Sequence, residues 1–267
     1  MFYVINVIFI FLIFSIPILY RYIRVGKSSL IFYKGRLQEG ENYRKAEFLR
    51  IIQILIGFVL LLFHSFFNFG LKYAIIFFLL CVFFSFIFEL LGMTTGFFFG
   101  GYFKYNNKKN GPMLFGVPIL ILITWFGLIY MSLNYSIYFF NIKNVSSVDI
   151  YKIIKISFFS GFLIMCLDLV LDPIGVDEKR WMWEHPGKYY GVPLLNFFCW
   201  FLNCAIILMV FLLNSKNILF TSSSDIPVYL FSILPLIASR PCYERNLKFP
   251  AFFGLLYSFI LIILLIV

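Results

Sequence analysis

LRIIQILIGFVLLLFHSFFNFGLKYAIIFFLLCVFFSFIFELL, from Leu49 to Leu91, is the stretch of sequence that decides the fold. It contains two apolar runs, 49–69 and 73–91, on either side of Gly70. Each run supplies the roughly 20 residues that a helix needs to cross the ~30 Å hydrocarbon core of a bilayer. Two such runs joined by a short turn predict two neighbouring transmembrane helices.

The rest of the chain repeats this pattern. Of its 267 residues, 62% are hydrophobic and 13% are charged, whereas about a quarter of the residues of a soluble domain are charged. We count eight apolar segments, with ends placed to about 2–4 residues. They are Phe2–Tyr20, Leu49–Phe69, Tyr73–Leu91, Leu114–Leu133, Ile153–Leu171, Pro193–Leu213, Ile226–Ala238 and Phe249–Val267.

The seventh segment, Ile226–Ala238, differs from the others because it is short and contains Pro227 and Pro235. It therefore either spans the membrane or enters it only partly. We predict an all-α, polytopic transmembrane helix bundle of about eight helices, or seven if this segment does not span. The bundle forms one integral membrane domain over residues 1–267.

The net charge of +10 does not indicate a nucleic-acid-binding protein, because the basic residues lie in loops between apolar runs. The odd-numbered loops carry sixteen Lys and Arg residues and the even-numbered loops carry five. Basic residues concentrate in cytoplasmic loops. We therefore predict a multi-pass protein of the cell membrane with both termini outside.

Few ionisable or amide side chains lie within the apolar segments, where such groups are costly and often functional. Glu89 lies near the end of the third segment, Asp168 and Asp172 at the end of the fifth, and Asn196 early in the sixth. The predicted topology places all four near the cytoplasmic face. This convergence predicts a site there.

Asp168 and Asp172 share one helical face because they are four residues apart. In a poorly hydrated place one of the two carboxyl groups would keep its proton, and the pair would titrate as a unit. A retained proton is what a general acid needs. The alternative is that both side chains lie in interfacial water and end the helix with help from Pro173.

Aromatic and amide side chains surround these positions. Asn196, Trp200 and Asn203 share a face of the sixth segment, either as interhelical contacts or as part of a site. Trp181 and Trp183 belong to an aromatic loop that forms either an interfacial belt or a lid able to stabilise a cation. The sequence has two histidines, far apart, and no zinc, phosphate-loop or dinucleotide motif, which excludes those classes of metal and cofactor site.

Three stretches carry recognisable motifs: ELLGMTTG at 89–96 with FGGY at 99–102 and Tyr105; GPMLFGVP at 111–118 with Trp125; and DLVLDP at 168–173 with WMW at 181–183, YYGVPLLNF at 189–197 and Trp200. Together they resemble the carotenoid biosynthesis membrane family, which includes carotenoid 1,2-hydratases and bisanhydrobacterioruberin hydratase. They define a motif-bearing core over residues 89–200. Leu122 and Cys199 depart from the family pattern, where we expect Pro and Gly.

The resemblance implies cofactor-free addition of water to a terminal C1,C2 double bond of a long polyene or isoprenoid held in the lipid bilayer. It also implies that neighbouring carotenoid-modifying enzymes are partners. The catalytic residues it implies are Asp168 or Asp172 as the acid, with Glu89 and Asn196 placing the water. The remaining substrate-binding residues it implies are Tyr102, Trp125, Trp181, Trp183, Tyr190 and Trp200.

Two other functions fit the residues. Asp168 and Asp172 form a D-x-x-x-D pair of the kind that holds Mg²⁺ against a diphosphate, which is typical of a prenyl transferase. The second acidic cluster that such an enzyme needs is missing from the sequence. Intramembrane acids also mark carriers and transporters of lipids or ions, but here they lie near one predicted face.

Overall fold

The computed structural model describes residues 43–142, 149–215 and 225–266, together with residues 7, 8, 11 and 15. The predicted segment Phe2–Tyr20 otherwise lies outside the described residues. The described part contains seven helices: α1 Tyr43–Phe69, α2 Leu71–Thr95, α3 Ile119–Phe139, α4 Ile150–Asp177, α5 Leu194–Leu213, α6 Ile226–Glu244 and α7 Lys248–Ile263. Six of them, α1 to α6, are long and apolar enough to cross a membrane. The predicted helical membrane bundle is confirmed.

Two short two-stranded sheets lie among these helices. Strand β1, Phe103–Tyr105, pairs antiparallel with β4, Trp181–Trp183, and β2, Met113–Leu114, pairs with β3, Val117–Pro118. The prediction that the fourth segment begins at Leu114 is wrong, because residues 113–118 form the second sheet and α3 starts at Ile119.

The bundle surrounds α3, which is buried along most of its length. Its rings at Phe126 and Tyr130 pack with Phe77 of α2, and Phe77 also packs against Phe211 of α5. These rings form an apolar centre in the half of the bundle that contains the turn between α1 and α2. The polar groups of α2, α4 and α5 lie toward the opposite end.

Helix α4 continues through Pro173 to Asp177. A proline has no N–H, so Pro173 leaves the carbonyl of Leu169, four residues earlier, without its helical donor. The hydroxyl of Tyr189 donates to that carbonyl at 2.7 Å. The tyrosine side chain thus replaces the missing donor. Because the helix continues for four residues after Pro173, the alternative in which Pro173 ends the helix is wrong.

Helix α6 runs six residues beyond the predicted end at Ala238 and contains three prolines: Pro227, Pro235 and Pro241. Pro227 lies in the first turn, where the missing N–H costs nothing. With 19 residues, α6 is long enough to span the membrane. Helix α7, with 16 residues in the described range, is shorter than the other helices.

Candidate active site

The centre of the candidate site is an amide between two carboxylates. Asn196 lies in the first turn of α5, and its Nδ2 donates to Asp168 Oδ2 at 2.8 Å and to Asp172 Oδ2 at 2.6 Å. Asp168 is 1% exposed and Asp172 is 3% exposed. The alternative in which these aspartates lie in interfacial water is therefore wrong.

The charge of this pair is not balanced by a cation within the described residues. The salt bridges recorded there join Arg180, Arg240 and Arg245 to other acids. Asp168 Oδ1 is buried and has no hydrogen-bond partner among the described residues. Two full negative charges around one neutral amide would be very costly to bury, so the pair is suited to hold a proton.

Glu89 of α2 forms the second part of the site. Its Oε2 accepts a hydrogen bond from Tyr105 Oη at 2.8 Å, and its Oε1 accepts one from Trp125 Nε1 at 3.4 Å. Glu89 is buried and close enough to Asp168 and Asp172 for their charges to interact. Each of its oxygens accepts a hydrogen bond from one donor, and these two contacts fix the orientation of the carboxyl group.

Tyr105 lies on β1, outside the membrane-spanning helices. Burial, and then the nearby charge of Glu89, raise the pKa of Tyr105 well above its ordinary value. The phenol therefore stays protonated and remains a hydrogen-bond donor to the carboxylate. The pairing of Tyr105 with Trp181 across β1 and β4 fixes its position.

Three of the predicted tryptophans lie beside these groups. The rings of Trp125 and Trp200 are stacked, with centroids 3.7 Å apart and planes at 29°. The ring of Trp181 contacts Tyr105 edge to face at 6.0 Å and lies on Gly175, where a Cβ would clash with it. Indole rings therefore line the site.

The other predicted aromatic residues have different surroundings. Trp183 Nε1 donates to the carbonyl of Phe99 at 2.9 Å, so this ring anchors the loop after α2. Tyr102 is half exposed and its ring lies over Gly96, while Tyr190 Oη accepts a hydrogen bond from the backbone N–H of Phe249. These contacts do not bring the three residues to the carboxylates, and their role in binding a cation stays a prediction.

Sequence reasoning did not identify Tyr105 and Tyr189 as functional residues. Tyr105 appeared in the motif at 99–105 but gave no local sign of its contact with Glu89. Tyr189 was detectable in principle, because Pro173 within an apolar helix implies that another group must donate to Leu169. Tyr189 also interacts electrostatically with Asp168.

Comparison with known proteins points to one family. A family model described as "Carotenoid biosynthesis protein" matches residues 49–261. Bisanhydrobacterioruberin hydratase from Haloarcula japonica is 30% identical over 129 residues, which are 48% of this chain and 41% of that relative. The match therefore spans less than half the length of the curated relative. No solved structure matches the chain.

Proposed function

The chain belongs to the carotenoid biosynthesis protein family, and on that premise we propose that it is a carotenoid hydratase-like enzyme. It adds water to the terminal C1,C2 double bond of a long polyene without a cofactor. The observation that carries this proposal is the buried pair Asp168 and Asp172, joined by the neutral amide of Asn196. Such a pair holds a proton inside the bilayer, as acid-catalysed hydration requires.

Asp168 is the proton donor in this proposal. Its Oδ2 is held by Asn196, whereas its Oδ1 has no partner among the described residues and is available to a substrate. The π electrons of the double bond form a new C2–H bond with the proton of Asp168. The tertiary carbon C1 becomes positively charged, and Asp168 becomes a carboxylate beside Asp172.

Glu89 is the base. Water attacks C1 with a lone pair, and one of its protons passes to Glu89, leaving a tertiary alcohol. The two donors on Glu89, Tyr105 and Trp125, stabilise the carboxylate form that this step needs. Glu89 then returns the proton to the aspartates, so that the net reaction adds one water molecule.

The stacked rings of Trp125 and Trp200, with Trp181, supply aromatic faces to the cation at C1. The polyene itself lies between helices within the bilayer, which is its natural solvent. In this arrangement the site lies near the cytoplasmic face, and membrane-bound carotenoid-modifying enzymes deliver the substrate and take up the alcohol.

The test is product analysis. Purified protein in lipid nanodiscs is given an acyclic, lycopene-type polyene in ¹⁸O-labelled water, and the products are separated and weighed by mass spectrometry. We expect a product heavier by one labelled water. Recovery of only unchanged polyene, or wild-type turnover in both Asp168→Asn and Asp172→Asn, would refute the proposal.

A further inference from the structure

A second buried polar pair lies deeper in the bundle than the carboxylates. Asn203 of α5 is seven residues after Asn196 on the same helical face, about 10 Å further along the axis. Its Nδ2 donates to Ser85 Oγ of α2 at 3.2 Å, and Ser85 is one turn before Glu89. Both side chains are fully buried. The pair therefore lies about two turns of α5 from Asn196 and one turn of α2 from Glu89.

The amide of Asn203 has an unmet hydrogen-bonding capacity. Its Oδ1 is buried and has no hydrogen-bond partner among the described residues, and an unpaired amide oxygen in an apolar interior is costly. Asn68 Oδ1 and Ser157 Oγ share this property. Of the three, only Asn203 lies on the helical face that carries Asn196 and Trp200.

Neighbouring serine hydroxyl groups have no such unmet hydrogen-bonding capacity. Ser132 Oγ donates to the carbonyl of Ile129 at 3.0 Å, and Ser136 Oγ donates to the carbonyl of Ser132 at 2.9 Å. Bonds of this kind, to the preceding turn of the same helix, satisfy the hydroxyl locally. These serines are therefore explained without a ligand, and Asn203 is not.

We propose that Asn203 and Ser85 form a water-binding site that supplies the nucleophile for hydration, an inference that rests on the proposed function. A buried water needs two to four polar partners. Asn203 Oδ1 accepts from the water, and Ser85 Oγ, which already accepts from Asn203, donates its own proton to it. The pair thus offers one acceptor and one donor.

This position separates the water from the acid. A water molecule bound directly to Asp168 would hydrate the acid and weaken it as a proton donor to an alkene. Trp200 lies between Asn196 and Asn203 along α5, so the water is held about two helical turns from the aspartates and about one turn from Glu89, the proposed base. The water site therefore affects the capture of the cation by water and does not affect the protonation of the double bond.

Deuterium oxide distinguishes these two steps. In D₂O the acid places deuterium on C2, and the cation then either takes up D₂O to give the alcohol or loses a hydrogen ion from C2 to regenerate the alkene. If C2 loses its hydrogen and keeps the deuterium, the regenerated alkene carries a deuterium label at C2. The ratio of deuterated alkene to alcohol reports how often water capture fails.

We expect Asn203→Leu to raise this ratio about tenfold, the factor that corresponds to one hydrogen bond, while total protonation is retained. The matched control is Asn134→Leu. Asn134 is also a buried amide, but it bonds to Asn68 and to the carbonyl of Tyr130 in the other half of the bundle. Its replacement should leave the ratio unchanged. Ser85→Ala, a smaller change that leaves Asn203 in place, should raise the ratio in the same direction.

An unchanged ratio in both Asn203→Leu and Ser85→Ala would overturn the water site while leaving the hydratase proposal intact. The same holds if Asn134→Leu changes the ratio as much as Asn203→Leu does, since any lost amide contact would then suffice. A wild-type protein that forms neither alcohol nor deuterated alkene would instead refute the hydratase proposal itself.

Discussion

Two pairs of acids lie within eleven residues at the end of helix α4, and their surroundings are opposite. Asp168 and Asp172 share the neutral amide of Asn196. The second pair, Asp177 and Glu178 at the end of the helix, faces arginines. Arg245 lies 3.6 Å from Asp177 and also bonds to Glu178, and Arg180 bonds to Glu178 on its other oxygen.

The difference is between acids whose charge is compensated by arginines and acids bonded only to a neutral amide. An arginine fixes a carboxylate as an anion and joins two parts of the chain; Arg245 thus ties the end of α6 to the end of α4. A neutral amide orients carboxyl groups without supplying the opposite charge. The proposed function therefore assigns proton exchange to the pair without arginines.

The largest expected effect comes from Asp168→Asn. The amide keeps the size of the carboxyl group but has no acidic proton, so product formation should fall by about 10²–10⁴-fold. The matched control is Asp177→Asn in the arginine-bound pair, which should retain activity close to wild type. Equal losses in both variants, measured per folded molecule, would remove the distinction between the two pairs.

Glu178→Gln tests the structural pair. It leaves the buried Arg180 and Arg245 without their shared anion, and breaking a buried ion pair costs about 3–5 kcal/mol. We expect a clear fall in the thermal unfolding temperature in detergent, with normal turnover in the molecules that remain folded. Asp172→Asn, which removes a like charge beside Asp168, should not lower that temperature; an equal fall would contradict the comparison.

Tyr105→Phe destabilises the carboxylate form of Glu89, and with it the group that accepts the proton from water, without removing either acid pair. Losing a hydrogen bond to a charged group costs about 1.5–3 kcal/mol, so turnover should fall by roughly ten- to a hundredfold. The deuterium exchange at C2 should fall less, because Glu89 acts after protonation. If exchange and alcohol formation fall together, Tyr105 supports the whole site and not Glu89 alone.

The smallest expected effect is that of a chelator. Hydration by Asp168 needs no divalent cation, so activity should be the same with EDTA as with added Mg²⁺. A requirement for Mg²⁺ would favour prenyl transfer, with Asp168 and Asp172 as ligands of the ion. It would also mean that a bound metal ion, and not a proton, compensates the negative charge of this pair.

The parts of this site that lie within helices were predictable from the sequence. The four-residue spacing of Asp168 and Asp172 and the position of Asn196 early in its segment predicted their meeting, because helical periodicity is local. The convergence of Glu89 with the aspartates followed from the alternation of apolar segments. The contacts of Asn196 with both aspartates agree with that prediction.

The parts that depend on long-range pairing were not predictable. Tyr105 reaches Glu89 because β1 pairs with β4, and Phe103 lies opposite Trp183 across 80 residues of sequence. No local periodicity indicates which three-residue strands will pair. The hairpin at 113–118 was likewise read as the start of a helix, because its residues are as apolar as those of α3.

The bond from Tyr189 to Leu169 has a mechanical consequence. The hydroxyl of Tyr189, in the loop after β4, supplies the hydrogen bond that Pro173 cannot make in the turn of α4 that holds both aspartates. If this loop lifted away, the carbonyl between Asp168 and Asp172 would lose its donor and that turn would loosen. The spacing of the two acids thus depends in part on the position of this loop.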